Sequence, residues 1–265
     1  MRYLSLFSGI GGFEIAIQSA FQDAKCIGFS EIDKYSVQTY TKHFPEHHNY
    51  GDINTINPYT LPDYDMLVGG FPCQDLSIAK SGRKGLDGER SGLFWTMLSI
   101  LRISNPKYFC FENVASMPKK DRDIITKELG VEPVMINAAL VSAQSRKRLF
   151  WCNWSVEQPE DRGILLKGIL ESGIPQNNIK KSYCIDANYY KGGVCNWINQ
   201  KGKRTMIMDN GHFRKLTPIE CERLQCFEDG WTEGVSKTQR YRQLGNAVNV
   251  EVVKHIMNNL ANHRR

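Results

Sequence analysis

Apolar positions along the chain come in short runs whose spacing switches between alternation and a helical period. Residues 2–6 alternate into an apolar strand, and four more short apolar runs, at 25–30, 65–68, 108–111 and 132–137, read the same way. Between them, 15–21, 34–43, 93–103 and 120–129 carry helix-like spacing, and a last helix-like stretch runs from 250 to 260. This alternation is that of an open α/β sheet, in which ligands bind beyond the carboxyl ends of the strands.

Two stretches break the pattern. Asp75 to Gly92 is polar and glycine-rich without periodicity, and a loop that long inside a compact domain is expected to be functional, here a lid. Ser155 to His212 lacks long periodicity and is rich in Asn, Gly and Lys. The chain therefore divides by pattern into 1–154, a small region over 155–212, and a final segment over 213–265.

Between the third strand and the lid stands Gly69-Gly70-Phe71-Pro72-Cys73-Gln74. The two glycines are expected to end the strand, and Pro72 stiffens the turn and biases Phe71 away from helix. Cys73 is thereby presented at a strand end, as a nucleophile requires. The first strand runs into Phe7-Ser8-Gly9-Ile10-Gly11-Gly12-Phe13-Glu14, a strand, glycine loop and helix opening suited to a nucleotide. Glu14 stands where the dinucleotide fingerprint wants a small residue, so a smaller nucleoside fits better. Glu31 ends the second strand, where a carboxylate accepts hydrogen bonds from ribose hydroxyls, and Asp52 lies in a turn where a carboxylate meets an adenine amino group.

Glu112, in Glu112-Asn113-Val114, follows the apolar run at 108–111, one strand over from Cys73. Farther on, Gln144-Ser145-Arg146-Lys147-Arg148 would, if extended, place Gln144, Arg146 and Arg148 on one face, as planar or phosphate recognition needs.

Composition narrows the class. With 265 residues, 41% hydrophobic and 23% charged, the chain suits one large domain or one domain with a small appendage. No apolar run reaches membrane-spanning length and no secretory signal opens the chain, so a cytoplasmic enzyme is expected. The eight cysteines form no C-x-x-C pair and the six histidines no metal-binding arrangement, so neither disulfides nor a metal is expected. The net charge of +6 is modest, but Lys201-Gly202-Lys203-Arg204, Arg214-Lys215 and Lys237-Thr238-Gln239-Arg240-Tyr241-Arg242 cluster late beside aromatics, as a polyanion surface would.

Taken in order, Phe7 to Gly12, Gly70 to Gln74, Glu112 to Val114, Gln144 to Arg148 and Gln243-Leu244-Gly245-Asn246-Ala247-Val248 resemble the motifs of the DNA (cytosine-5) methyltransferases, over nearly the whole chain. One departure is Ser5, where many members carry Asp. The resemblance implies a Rossmann-like S-adenosylmethionine-dependent methyltransferase fold: a mostly parallel sheet with helices on both faces and a small target-recognition region at 155–212. The final segment would return to the catalytic domain. It implies S-adenosylmethionine as donor, leaving as S-adenosylhomocysteine. Phe7, Ser8, Gly9, Gly11 and Gly12 would lie under the donor, Glu31 and Ile32 at its ribose, Asp52 and Ile53 at its adenine, Pro72 beside it, and Asn246 and Val248 at its amino-acid end.

The implied chemistry is covalent: Cys73 attacks cytosine carbon 6, Glu112 meets ring nitrogen 3, Arg148 binds the carbonyl oxygen at position 2, and Arg146 steadies the thiolate or a phosphate. The cytosine must be flipped out of double-stranded DNA. A prokaryotic or phage-encoded monomer is expected, with a separately encoded restriction endonuclease as the partner a protective role would imply. The tRNA-directed relatives carry Cys-Phe-Thr in the recognition segment, a tripeptide absent here, so DNA is the expected substrate. A silent DNA-binding regulator would not need Cys73, Glu112 and Arg148, and a thiol oxidoreductase would leave Glu112 and both arginines without a task.

Overall fold

The alternating run at the start forms strand β1 (Arg2–Leu6), whose Tyr3, Leu4 and Leu6 are fully buried. The computed structural model containing it describes residues 1–72, 92–194 and 204–264. They fall into two compact units: Met1–Ile136, Lys147–Gln158 and Val253–Arg265 form the first, and Asn137–Arg146 with Pro159–Val252 the second. The borders drawn from sequence pattern, at 154 and 212, differ from these. The chain enters the second unit once early, over Asn137–Arg146, and residues 213–252 stay with it.

In the first unit β1 is joined by β2 (Lys25–Ser30), β3 (Met66–Gly70), β4 (Tyr108–Val114), β5 (Val134–Asn137) and β6 (Lys147–Cys152). The sheet order is β2-β1-β3-β4-β6-β5. β1 pairs parallel with β2 and β3, β3 pairs parallel with β4, and β6 runs antiparallel to β4. Met66, Leu67 and Val68 are fully buried, as a parallel strand covered on both faces requires. Helices α1 (Gly12–Ala20), α2 (Lys34–His43), α3 (Leu93–Ser104) and α4 (Lys119–Leu129) alternate with the strands. β2 lies on one side of β1 and β3 on the other, so the strand order reverses there, opening a crevice at their carboxyl ends.

Two strands run farther than their sequence pattern suggests. Gly69 and Gly70, expected to end the third strand, lie within it and pair with Phe111 and Glu112. The reason is steric: a β-carbon on Gly69 would stand 2.7 Å from the Leu6 carbonyl oxygen, so the glycine is what admits this strand beside β1. Glu112, Asn113 and Val114 likewise belong to β4.

The second unit holds an antiparallel sheet of β7 (Ile174–Pro175), β8 (Met206–Asp209) and β9 (His212–Lys215), with helices α5 (Pro218–Gln225) and α6 (Lys237–Asn246). Thr217 and Glu220 form a reciprocal cap at the start of α5. Several late basic residues are spent inside this unit. Arg214 pairs with Asp209 at 2.9 Å and with the buried Glu220 at 2.8 Å, Arg240 pairs with the buried Glu222 at 2.9 Å, and Lys215 Nζ donates to the Tyr190 carbonyl at 2.7 Å. The last helix, α7 (Val250–His263), belongs to the first unit from Val253 on, where Ile256 O accepts from Trp154 Nε1 at 3.3 Å. Among the described residues no helix is long and apolar enough to cross a membrane.

Glu14 of α1 is completely buried, between Tyr3 of β1, Cys26 of β2 and Tyr40 of α2, whose hydroxyl donates to Glu14 Oε1 at 3.0 Å and lies 2.9 Å from His47 Nδ1. Burial pushes its carboxyl up to about 7, against the Tyr40 hydrogen bond that pulls it down. A carboxyl raised in the folded state contributes stability that is complete below its unfolded pKa and is lost as pH rises through the folded value. Glu14→Gln should therefore leave stability at pH 4 nearly unchanged and raise it progressively above that, by on the order of 3 kcal/mol at pH 8. Urea unfolding of both proteins across that range checks the slope.

Candidate active site

The backbone after β1 turns sharply: Phe7, Gly9 and Gly11 all adopt left-handed conformations, at φ +54°, +57° and +89°. For Phe7 this is strained; for Gly11 it is required twice over, because a β-carbon there would lie 2.4 Å from the Phe44 ring. Ser8 N donates to Ser30 O at 3.2 Å and Ser8 Oγ to Ser5 Oγ at 2.9 Å, tying the loop to β1 and β2. Ser5 thus closes a contact inside the loop.

Glu31 accepts from three backbone N–H groups: Gly9 at 2.9 Å on Oε2, and Ile32 and Asp33 at 2.8 Å each on Oε1. Burial raises its pKa, and these hydrogen bonds pull the other way. A carboxylate offers about four acceptor positions, so it retains capacity for a hydroxyl. Beside it Ile32 is 72% exposed, an apolar surface adjoining an anionic acceptor. Asp52 caps the short helix Ile53–Thr55, accepting from Asn54 N at 2.9 Å, and Ile53 is buried. Gly9, Glu31, Ile32, Asp52 and Ile53 all belong to the first unit. An exposed apolar side chain beside a half-buried carboxylate suits a nucleoside, whose base is flat and apolar and whose ribose donates hydrogen bonds.

At the carboxyl end of β3, Phe71 is buried and its carbonyl accepts from Asn113 Nδ2 at 3.0 Å. That bond anchors the turn leading through Pro72. Cys73 itself, Gln74 and residues 75–91 of the expected lid lie outside the described residues, as do 195–203 of the recognition segment. One strand over, Glu112 and Arg148 form an ion pair at 2.7 Å, with side chains only 12% and 16% exposed. Antiparallel pairing of β4 with β6 sets Arg148 opposite Val114, within reach of Glu112. Arg148 Nε meets Oε1, while Oε2 faces Gly70, where a β-carbon would lie 3.0 Å away. A charge-assisted pair this enclosed fixes the planes of both groups.

Gln144 and Arg146 are buried and Arg148 half-buried, while Ser145 and Lys147 are exposed, the alternation expected along this segment. β6 begins at Lys147, and Gln144 and Arg146 belong to the second unit, where Gln144 forms a parallel bridge with Ser182. Arg146 is buried there, donating to the Ile185 carbonyl at 2.9 Å and to those of Gly245 and Ala247 at 3.0 and 2.8 Å. Gln144 accepts from Ile185 N at 2.8 Å. The Arg146 bonds to Gly245 and Ala247 brace the end of α6 and the residues after it, where Asn246 is exposed and Val248 half-buried.

Sequence reasoning assigned no task to Asn113 or Asn49. Asn113 stands inside the Glu-Asn-Val motif, and a strand's alternation would have turned it away from the Glu112 face. Asn49 carries no local signal beyond its nearness to Asp52.

The family model described as C-5 cytosine-specific DNA methylase matches residues 1–183 and 151–262. Type II methyltransferase M.NlaX of Neisseria lactamica is 31% identical over 304 residues, covering 96% of this chain and 94% of that one. M.HhaI of Haemophilus parahaemolyticus is 27% identical over 311 residues, covering 98% and 94%. Among solved structures, Entamoeba histolytica EhMeth superposes with a TM-score of 0.78 at 17% identity, covering 100% of this chain and 99% of its own. The Dnmt2 methyltransferase of S. pombe gives 0.78 at 20% identity over 100% and 99%. At such identities the likeness shows the fold. The family match along nearly the whole sequence, with a full-length relative above 30% identity, places the chain among the C-5 cytosine-specific DNA methylases.

Proposed function

We propose that this chain transfers a methyl group from S-adenosylmethionine to carbon 5 of a flipped cytosine in a short sequence of double-stranded DNA, through a covalent adduct at Cys73. The observation that carries the reading is the enclosed Glu112–Arg148 pair on β4 and β6, beside the strand that leads into Cys73. Bound S-adenosylmethionine supplies an electrophilic methyl group. Phe7, Ser8, Gly9, Gly11 and Gly12 would cradle it, Glu31 and Ile32 would meet its ribose and Asp52 with Ile53 its adenine, with Pro72 alongside.

Cytosine carbon 5 is a poor nucleophile, and addition of the Cys73 thiolate to carbon 6 makes it an enamine carbon. Glu112 gives a proton to ring nitrogen 3 as the thiolate adds, and Arg148 donates to the carbonyl oxygen at position 2, where charge develops. Once carbon 5 carries the methyl group, nitrogen 3 returns its proton, a base removes the carbon 5 proton and the Cys73 thiolate is eliminated. Arg146 serves as a brace for the turn carrying Asn246 and Val248, since its donors already reach three carbonyls. Recognition of the DNA sequence falls to the segment 155–212. The biological role that fits is protection of DNA from an endonuclease encoded separately, with the enzyme acting in the cytoplasm as a monomer.

Expression in a host lacking cytosine methylation, followed by bisulfite sequencing, tests the activity. Cytosines within one short motif should resist conversion, and Cys73→Ser should remove that resistance while retaining donor and DNA binding. Full conversion by a folded, donor-binding protein would overturn the DNA reading and direct the assay to RNA. Glu112→Gln should lower kcat by roughly 10² to 10⁴-fold with donor affinity unchanged, measured by single-turnover methyl transfer and calorimetry. An equal loss in donor affinity would remove Glu112 from the reacting base.

A further inference from the structure

Past the end of β2 the backbone ladder is replaced by side chains. Phe29 N donates to His48 O at 2.8 Å and Tyr50 N to Phe29 O at 2.7 Å, so segment 48–50 runs alongside the end of β2. Main-chain pairing stops there. One residue on, Asn49 takes over: its Oδ1 accepts from Glu31 N at 3.3 Å and from Gly51 N at 2.9 Å, and its Nδ2 donates to Glu31 O at 3.1 Å. The amide orientation follows from the partners, because a flipped amide would set N–H against N–H. Ser30 Oγ adds a bond to Gly51 O at 2.7 Å.

The linkage is continuous. Gly9 in the glycine loop bonds the Glu31 carboxylate, the Glu31 backbone bonds the Asn49 amide, and that amide bonds the turn whose next residue is Asp52. Glu31 and Asp52 are otherwise separated by α2 and the segment after it, and two groups meant for one rigid ligand must keep a set distance. We propose that Asn49 is a positioning residue for donor binding, its amide setting the separation between the turn that carries Glu31 and the turn that carries Asp52. One adenosine is then held at its ribose and its base together. This inference rests on the donor site proposed above.

The test is calorimetry of the full chain with S-adenosylhomocysteine, its 2′-deoxyribose analogue and its inosine analogue. Glu31→Ala and Asp52→Ala should each weaken the parent ligand and shrink discrimination against the analogue that lacks the matching group. Asn49→Ala should weaken the parent about tenfold and shrink both discriminations at once, the effect of about one lost net hydrogen bond. In steady state it should raise the donor KM with kcat at saturation retained. Asn49→Asp, which keeps the acceptor for Gly51 N and loses the donor to Glu31 O, should fall between; it also serves if the alanine variant does not fold. Wild-type affinity, or uniform weakening of all three ligands, in an Asn49 variant would overturn the inference. Unchanged affinity in both Glu31→Ala and Asp52→Ala would instead overturn the donor-site reading.

Discussion

A β-carbon at Gly69 would stand 2.7 Å from the Leu6 carbonyl, and one at Gly70 would stand 3.0 Å from Glu112 Oε2. Much of the first unit depends on those two missing atoms. They let β3 run its full length between β1 and β4, so the turn at Phe71 and Pro72 emerges level with Glu112. Because successive residues of β4 face opposite ways, Glu112 turns to Arg148 while Asn113 turns to the Phe71 carbonyl. One short strand therefore orients an ion pair and anchors the turn that leads to Cys73. The strand order reverses at the same place, so the carboxyl ends of β1 and β3, leading into the glycine loop and into Phe71 and Pro72, lie at the switch point of the sheet.

Charge in this protein is handled mostly by enclosure. Glu112 with Arg148, Glu220 with Arg214 and Glu222 with Arg240 are each ion pairs with at least one largely buried member. Leaving one member alone in such a setting costs more than the pair contributes, so each arrangement holds its neighbours in a single geometry. Glu14 differs from these acids, meeting Tyr40 where they meet an arginine, and burial raises its pKa. The formal excess of positive charge therefore overstates the free cations of the late basic clusters.

Side-chain amides carry the other recurring task. Asn49, Asn113 and Gln144 each pair with backbone groups where a regular ladder has ended. An amide both donates and accepts, so it can replace a strand neighbour at a position where the chain must diverge. That substitution is what lets the turns around a ligand leave the sheet and still be held.

Much of the first unit was legible in the linear pattern. The strands and helices up to residue 137 arise from local periodicity, which needs no distant partner, and the glycine loop and Glu31 are marked by their places at strand ends and Asp52 by its turn. The Gly-Phe-Pro-Cys turn and the Glu-Asn-Val run likewise stand out as motifs. Local pattern failed where a long-range contact decided the conformation. Gly69 and Gly70 looked like strand breakers and are strand residues, because β1 and β4 leave no room for side chains there. Nothing local marked the partners of Gln144 and Arg146, whose side chains bond the backbone of Ile185, Gly245 and Ala247, about 40 to 100 residues away in the chain. The linear order of residues thus determined which chemical groups the chain possesses and the succession of its elements. Only the tertiary structure decided their partners, because a hydrogen bond or an ion pair is satisfied by whatever stands about 3 Å away, however distant in sequence.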